Sequence, residues 1–137
     1  MNNTFFQWKE EYSVKVQQID DQHMAIIDML NDLYNAFMKK EHEDKTGEIL
    51  YRLAIYASMH FKTEEKYFSR FNYEHTAAHL SEHAVFIKQV NNFKTEYARD
   101  KSALTYRVIN FLKEWLTNHI MISDKKYIHC FVSNGLK

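Results

Sequence analysis

Five histidines and two carboxylates in this chain have the types and spacing of metal ligands. They form a single residue, two pairs four residues apart and one pair five residues apart: His23, His60 with Glu64, His79 with His83, and His119 with Asp124. Residues four apart on a helix share a face, so the members of such a pair can approach one ion. Imidazole and carboxylate groups suit iron, zinc and manganese, so the residue types alone leave the metal open. Seven such side chains on four helical stretches predict a two-metal centre.

A structural role is the alternative for any one of these histidines, because a single buried histidine is usually satisfied by hydrogen bonds rather than by a metal. For the whole set the metal interpretation is favoured, because a carboxylate that faces the interior must be neutralised and a cation does so. The remaining histidines fit the structural alternative or simple exposure, and we assign no role to His42, His75 and His129.

Four helical stretches must position these residues. Apolar residues recur at helical spacing over residues 19–37, 53–71, 79–93 and 104–120, and the chain has no proline and two glycines to interrupt them. Breaks are predicted at residues 39–45, 72–75 and 99–102, and Asp20 is predicted as the N-cap of the first helix. Short connections between long helices favour antiparallel neighbours. The predicted fold is therefore all-α, an antiparallel up-down-up-down four-helix bundle.

The chain is predicted to be one domain that spans residues 1–137. Its parts are an N-terminal arm, a helical bundle and a short C-terminal segment, at residues 1–17, 18–127 and 128–137. Three aromatic residues are expected to anchor the arm to the bundle, namely Phe5, Phe6 and Trp8.

Charge and composition exclude several classes of protein. Eighteen basic and eighteen acidic residues cancel, so the chain lacks the positive surface expected of a nucleic-acid-binding protein. The longest apolar run, residues 53–57, is too short for membrane insertion, and the N-terminus lacks the apolar core of a secretory signal. The single cysteine, Cys130, excludes an internal disulfide. These observations predict a cytoplasmic protein.

Antiparallel packing is expected to bring the histidines to one level of the bundle. His23 precedes His42, in the first predicted turn, by 19 residues, and His60 follows His42 by 18. The other three histidines lie 16 to 20 residues from Arg99 in the third turn. At about 1.5 Å of rise per residue these offsets agree to within a few ångströms.

The separation of His119 from Asp124 requires a local change of the helix. Five residues place them about 140° apart around an ideal helix. They can converge only where the helix widens or unwinds, as π-type bulges do at functional sites. We therefore predict an irregularity between Ile120 and Asp124.

Four segments together resemble the hemerythrin family, specifically its single-domain bacterial members, the bacteriohemerythrins. They are IDDQH ending at His23, HFKTEE from His60, HLSEH from His79 to His83, and WLTNHIMISDKKY from Trp115 to Tyr127. With Trp8 they are distributed over residues 8–127, most of the length of the chain. A lone H-x-x-x-H or H-x-x-x-E motif is weak evidence for a family, but all four segments in this order are highly specific for this one.

The resemblance implies reversible O2 binding by two non-haem irons, for oxygen carriage, storage or delivery. The implied ligands are His79, His83 and His119 for one iron and His23 and His60 for the other, with Glu64, Asp124 and a solvent oxygen bridging both. It also implies that an apolar pocket for O2 is lined by Leu116 and Ile120, with Trp115 nearby. Such a pocket would slow the entry of water and anions.

Other functions are compatible with the same residues. One is a module that senses O2, nitric oxide or iron through a signalling partner, and another is a di-iron oxidase or peroxidase. Ferritin-like oxidases use four carboxylates and paired Glu-x-x-His motifs, and this sequence has no Glu-x-x-His. Five neutral imidazoles therefore favour binding over enzymatic turnover. Beyond O2, an oxidase is a conceivable partner, and a monomer is expected.

Overall fold

The chain folds into a bundle of helices around a central polar layer. The structure is a computed structural model that describes residues 5–39, 42–100 and 105–137, with the side chains of 42–44, 105 and 121 set aside. Its helical segments, in chain order, are a 3-10 turn Glu10–Tyr12, α1 Gln17–Met38, α2 His42–Phe71, α3 Thr76–Arg99, α4 Thr105–Trp115, a π-helix Leu116–Ser123, a 3-10 turn Asp124–Tyr127 and α5 Ile128–Ser133. Helix α1 packs against α2 and α4, and α2 packs against α3. The predicted all-α four-helix bundle is confirmed.

Two apolar clusters form the interior, and the predicted ligands lie between them. The larger cluster includes Ile26 of α1, Leu53 of α2 and Leu112 of α4. The smaller, which we call the aromatic cluster, consists of Val14, Val16, Ile19, Tyr67, Phe68, Tyr73, Tyr127 and Phe131. Along α1, for example, His23 stands between Ile19 of the aromatic cluster and Ile26 of the larger one. The polar layer is thereby closed by apolar packing from both ends.

The start of α1 differs from the prediction, because Asp20 is not its N-cap. The cap position is Val16, whose backbone is extended, and Asp20 lies inside the first turn of the helix. The carboxylate of Asp20 accepts hydrogen bonds from the Ser13 hydroxyl at 2.6 Å and from the Val14 N–H at 2.8 Å. Lys15, the residue after Val14, has a φ of 64°, in the left-handed region that non-glycine residues rarely adopt. Asp20 therefore holds the turn that leads from the arm into the helix.

The N-terminal arm packs on the bundle through its aromatic residues, as predicted. Phe5, Phe6 and Trp8 contact the larger apolar cluster. The Asn31 amide oxygen accepts the backbone N–H groups of Phe5 and Phe6 at 3.1 and 2.8 Å, and the amide nitrogen donates to the Phe6 carbonyl at 2.8 Å. The Phe5 ring also stacks on Tyr34 with centroids 4.3 Å apart.

The predicted breaks are partly confirmed. The break at 72–75 separates α2 from α3 as expected, and Asn72 has a φ of 51° there. The break at 39–45 is shorter than predicted because α2 already begins at His42, and α4 gives way to the π-helix at Leu116 instead of continuing to Ile120. Only the start of the break at 99–102 is described, where α3 ends at Arg99. Within the described ranges, no helix is long and apolar enough to cross a membrane.

Candidate metal centre

The seven residues predicted as ligands meet in the middle of the bundle. His23, His60, Glu64 and Asp124 are fully buried, and the other three histidines are at most 3 % exposed. Their candidate ligand atoms form two groups, each with all atoms within 4.8 Å of one another: Glu64, His79, His83 and His119, and His23, His60, Glu64 and Asp124. Every sequence-predicted ligand is thus brought to one place.

The Asp124 carboxylate spans the two groups of histidines. Its Oδ2 atom lies 2.9 Å from His23 Nε2. Its Oδ1 atom lies 2.8 Å from His79 Nε2 and 2.9 Å from His119 Nε2. Each oxygen therefore faces a different group, which is the arrangement that a carboxylate bridging two ions requires.

Glu64 also reaches both groups, but through one oxygen. Its Oε1 atom lies 3.0 Å from His83 Nε2 and 3.4 Å from His60 Nε2. The other oxygen, Oε2, accepts a hydrogen bond from the Tyr127 hydroxyl at 2.6 Å. The two carboxylates thus have different surroundings.

The predicted irregularity brings His119 and Asp124 together. Residues Leu116–Ser123 form a π-helix, and the backbone N–H of Asp124 donates to the carbonyl of His119, five residues earlier. The wider helical turn lets both side chains face the interior, so that His119 Nε2 and Asp124 Oδ1 are in contact. π-helical segments of this kind are common at functional sites.

Several buried polar atoms of the site lack a hydrogen bond within the described part of the chain. Those that face the centre are Glu64 Oε1, both Asp124 oxygens and the Nε2 atoms of His79, His83 and His119, and His23 Nδ1 on the outer side also lacks one. Some of these nitrogens and oxygens lie within 3.0 Å of each other, yet the contacts lack hydrogen-bond geometry. Buried polar groups are almost always satisfied. Lone pairs that converge without partners are what a set of ligands around cations would show, so the residues fit a metal centre.

The charges at the site lead to the same conclusion. Burial alone would raise the pKa of the Asp124 carboxyl, but the neighbouring imidazoles of His119, His23 and His79 outweigh it and hold that pKa well below its usual range. Burial opposes protonation of His119, yet the charges of Asp124 and Glu64 raise its pKa to about 9. Burial lowers the pKa of His60 to about 4 and keeps that imidazole neutral. The ionised carboxylates therefore demand positive charge, which a protonated His119 supplies in part without metal and which bound cations would supply in its place.

Three polar side chains that the sequence analysis missed orient the histidines. Their contacts run from one helix to the next around the bundle: Gln22 Oε1 to His60 Nδ1 at 2.7 Å, Glu65 Oε2 to His83 Nδ1 at 3.0 Å, and Glu82 Oε1 to His119 Nδ1 at 3.0 Å. A metal-binding histidine commonly donates its outer N–H to such an acceptor, which directs the other nitrogen to the metal. Each orienting residue is a sequence neighbour of a predicted ligand, which is the one signal that would have suggested them.

The residues predicted to line an O2 pocket are close neighbours of His119 in the sequence. Leu116 and Ile120 are at most 2 % exposed and belong to the larger apolar cluster. Trp115 is half-buried, and its ring stacks on His119 with centroids 4.2 Å apart. His75 and His129, to which no role was assigned, are exposed, and the side chain of His42 lies outside the described residues.

Comparison with known proteins agrees with this geometry. The family model described as "Hemerythrin HHE cation binding domain" matches residues 14–130. A bacteriohemerythrin of Clostridium acetobutylicum is 30% identical over 90% of this chain and 98% of the relative. A bacteriohemerythrin of Methylococcus capsulatus is 31% identical over 88% and 91%. A crystal structure of wild-type hemerythrin superposes with a TM-score of 0.83 at 30% identity, covering 92% of this chain and 97% of the other.

Proposed function

This chain belongs to the hemerythrin family, and we propose that it binds O2 reversibly at a non-haem di-iron centre. The observation that carries the proposal is the buried set of five imidazoles and two carboxylates, divided into a three-histidine and a two-histidine group. A pair of ferrous ions held there would supply the two electrons that reduce bound O2 and would recover them when O2 is released.

The proposed ligands follow the two groups. His79, His83 and His119 would hold one iron, His23 and His60 the other, and Glu64 and Asp124 would contact both. The contacts of Asp124 support its bridging role, since its two oxygens face different histidine groups. The two-histidine group offers fewer protein ligands, and we assign the O2-binding position to that side.

The surrounding side chains would protect bound O2 from water. Leu116 and Ile120 are buried in the larger apolar cluster, three residues before and one residue after His119, and we assign them to the wall of the O2 pocket. The Trp115 ring covers one face of the His119 imidazole. Apolar walls exclude the water and anions that promote loss of O2 as superoxide or peroxide.

We favour carriage, storage or delivery of O2 over enzymatic turnover. Two carboxylates and a bridging hydroxide would offset three of the four positive charges of a ferrous pair, and the small remaining charge suits a binding reaction in a buried site. The expectations of a cytoplasmic, monomeric protein with O2 as its ligand, and an oxidase as a conceivable recipient, stay predictions.

The test is a spectrum with iron quantitation. Metal-free protein loaded anaerobically with Fe(II) is expected to hold two irons per chain, to be nearly colourless, to gain a visible band in air and to lose it under argon. The same protein loaded with Zn(II) is the control and stays colourless throughout. Irreversible conversion to a diferric form within seconds of exposure to air, with no band recovered by cycling, would overturn reversible binding.

A further inference from the structure

A hydroxyl group that the ligand set does not include is aimed at one of the proposed ligands. The Tyr127 O–H donates to Glu64 Oε2 at 2.6 Å, and both residues are fully buried. A distance of this size is typical of a hydrogen bond to an ionised carboxylate, which is shorter and stronger than one between neutral groups. The contact joins residues 63 positions apart in the chain, so it links α2 to the segment after the π-helix.

The backbone explains why a tyrosine at this position reaches Glu64. Asp124 and Tyr127 are the first and last residues of a 3-10 turn. Side chains three residues apart eclipse one another in that conformation. The turn therefore presents the Asp124 carboxylate and the Tyr127 hydroxyl on one side, toward Glu64 and the histidines.

Aromatic packing holds the Tyr127 ring in place. It stacks on Phe131 with centroids 4.2 Å apart and planes inclined by 16°, and it also contacts Phe68 and the His79 imidazole at 5.7 Å. The ring is enclosed on several sides, so the hydroxyl has little freedom to swing away from the carboxylate. A donor fixed by packing in this way orients the group that it contacts.

The two oxygens of Glu64 consequently have separate tasks. Oε2 is satisfied by Tyr127, whereas Oε1 makes no hydrogen bond among the described residues and faces the Nε2 atoms of His83 and His60. Asp124 differs, because both of its oxygens face imidazoles and neither has a hydrogen bond in the described ranges. The asymmetry belongs to Glu64 alone and follows from its contact with Tyr127.

We propose that Tyr127 is a positioning residue of the metal centre, whose hydroxyl fixes the Glu64 carboxylate so that one oxygen is directed at both histidine groups. The inference rests on the proposed metal centre for its consequence but concerns this chain's own hydrogen bond. Without the hydroxyl, Oε2 becomes a buried unpaired oxygen and the carboxylate can rotate. Metal binding then has to fix the orientation of the Glu64 carboxylate, which lowers the affinity for the metal.

The experiment compares Tyr127→Phe with Tyr67→Phe. Both changes remove a single hydroxyl from the aromatic cluster, but the Tyr67 hydroxyl donates to Gln18 Oε1 at 3.1 Å rather than to a proposed ligand. Metal-free protein is titrated anaerobically with Co(II) as the probe, against a competing chelator. Infrared difference spectra of the Co(II)-loaded and metal-free forms then report the carboxylate stretching bands, and Glu64→Gln identifies the band of Glu64.

Tyr127→Phe is expected to bind Co(II) about tenfold more weakly, as loss of a partner of a ligand commonly does, and to shift the Glu64 band. Tyr67→Phe should leave both unchanged. Wild-type affinity and an unshifted band in Tyr127→Phe would overturn the inference. If wild-type protein itself bound fewer than two Co(II) ions, the metal centre and not the role of Tyr127 would be at fault.

A second measurement does not depend on Tyr127→Phe, because it uses wild-type protein and the Glu64 band identified with Glu64→Gln. Wild-type protein refolded in heavy water carries deuterium on the Tyr127 hydroxyl, which changes the hydrogen bond to Glu64 and should move the Glu64 band of the metal-free protein. A Glu64 band that is insensitive to this exchange would overturn the inference even if Tyr127→Phe failed to fold.

Discussion

The two halves of the centre are built from similar ligands but have different surroundings. In the half with His23 and His60 both imidazoles are fully buried, and the partner of His60 Nδ1 is the neutral amide of Gln22. In the other half, His83 and His119 are held by the carboxylates of Glu65 and Glu82, whose side chains are 38% and 41% exposed. The half with His23 and His60 is therefore buried and has a neutral outer partner. The half with His83 and His119 has acidic outer partners that are partly exposed to solvent.

The difference shows how one bundle can give two ions different properties. A carboxylate that accepts the outer N–H of an imidazole increases its basicity and makes it a better electron donor to a metal. A neutral amide that accepts the same N–H increases the basicity of the imidazole less. We therefore expect the half with Glu65 and Glu82 to hold its metal as a fixed anchor, and the half with Gln22 to accommodate the exchangeable O2.

Asp124→Ala should have the largest effect, because Asp124 contacts histidines of both halves. Without it the two groups lose a shared anionic ligand, and iron content is expected to fall to about one per chain or less. Iron quantitation and thermal unfolding measure the change, with Asp28→Ala at an exposed position of α1 as the control. Two irons and normal oxygenation in Asp124→Ala would show that the halves do not depend on this bridge.

Leu116→Ala tests the apolar wall that we assign to the O2 pocket. Replacing a buried leucine by alanine costs about 2–5 kcal/mol of unfolding free energy, and the cavity admits water to the apolar wall. Autoxidation, followed by decay of the oxygenated band, should become faster while iron stoichiometry stays at two per chain. Val85→Ala, at a residue of α3 that is 62% exposed, serves as the control. An unaltered autoxidation rate would mean that other residues line the pocket.

Glu82→Gln removes a charge from the anchored half while keeping an acceptor for His119. The Glu82 carboxylate also accepts the Ser123 hydroxyl at 2.6 Å, so the substitution weakens two contacts. Metal retention in this half is expected to drop about tenfold, or about 1.4 kcal/mol. Chelator competition measures it, and Glu114→Gln on an exposed face of α4 is the matched control. Equal retention in both variants would remove the proposed distinction between the halves.

Gln22→Glu should have the smallest effect. It gives both halves of the centre a carboxylate as the outer partner of a histidine. A carboxylate beside His60 increases electron donation on the side assigned to O2, which favours ferric iron. We expect an autoxidation rate a few-fold faster and an unchanged iron content, measured as for Leu116→Ala, with Gln17→Glu at an exposed position as the control. A slower rate would contradict the assignment of O2 to this half.

The bundle and the convergence of the seven candidate ligands were predictable because they depend on spacing along the chain. A separation of four residues puts His60 and Glu64 on one helix face whatever the neighbours are. The separation of five between His119 and Asp124 was informative because a regular helix cannot bring them together, and the π-helix was predicted on that ground. Asp20 was misassigned, since a short acidic side chain suits a helix cap and also the turn before it, and the local sequence does not distinguish the two.

Contacts between helices were decided only by the tertiary structure. Gln22, Glu65 and Glu82 each orient a histidine on the following helix, and Tyr127 reaches Glu64 across 63 residues of chain. Such pairs depend on how each helix is rotated about its axis and how far it is displaced along it relative to its neighbour. Both change when a helix begins or ends one or two residues earlier or later, and the sequence does not fix those ends. The amino-acid order therefore determined which residues can bind metal, whereas packing determined which side chains direct them.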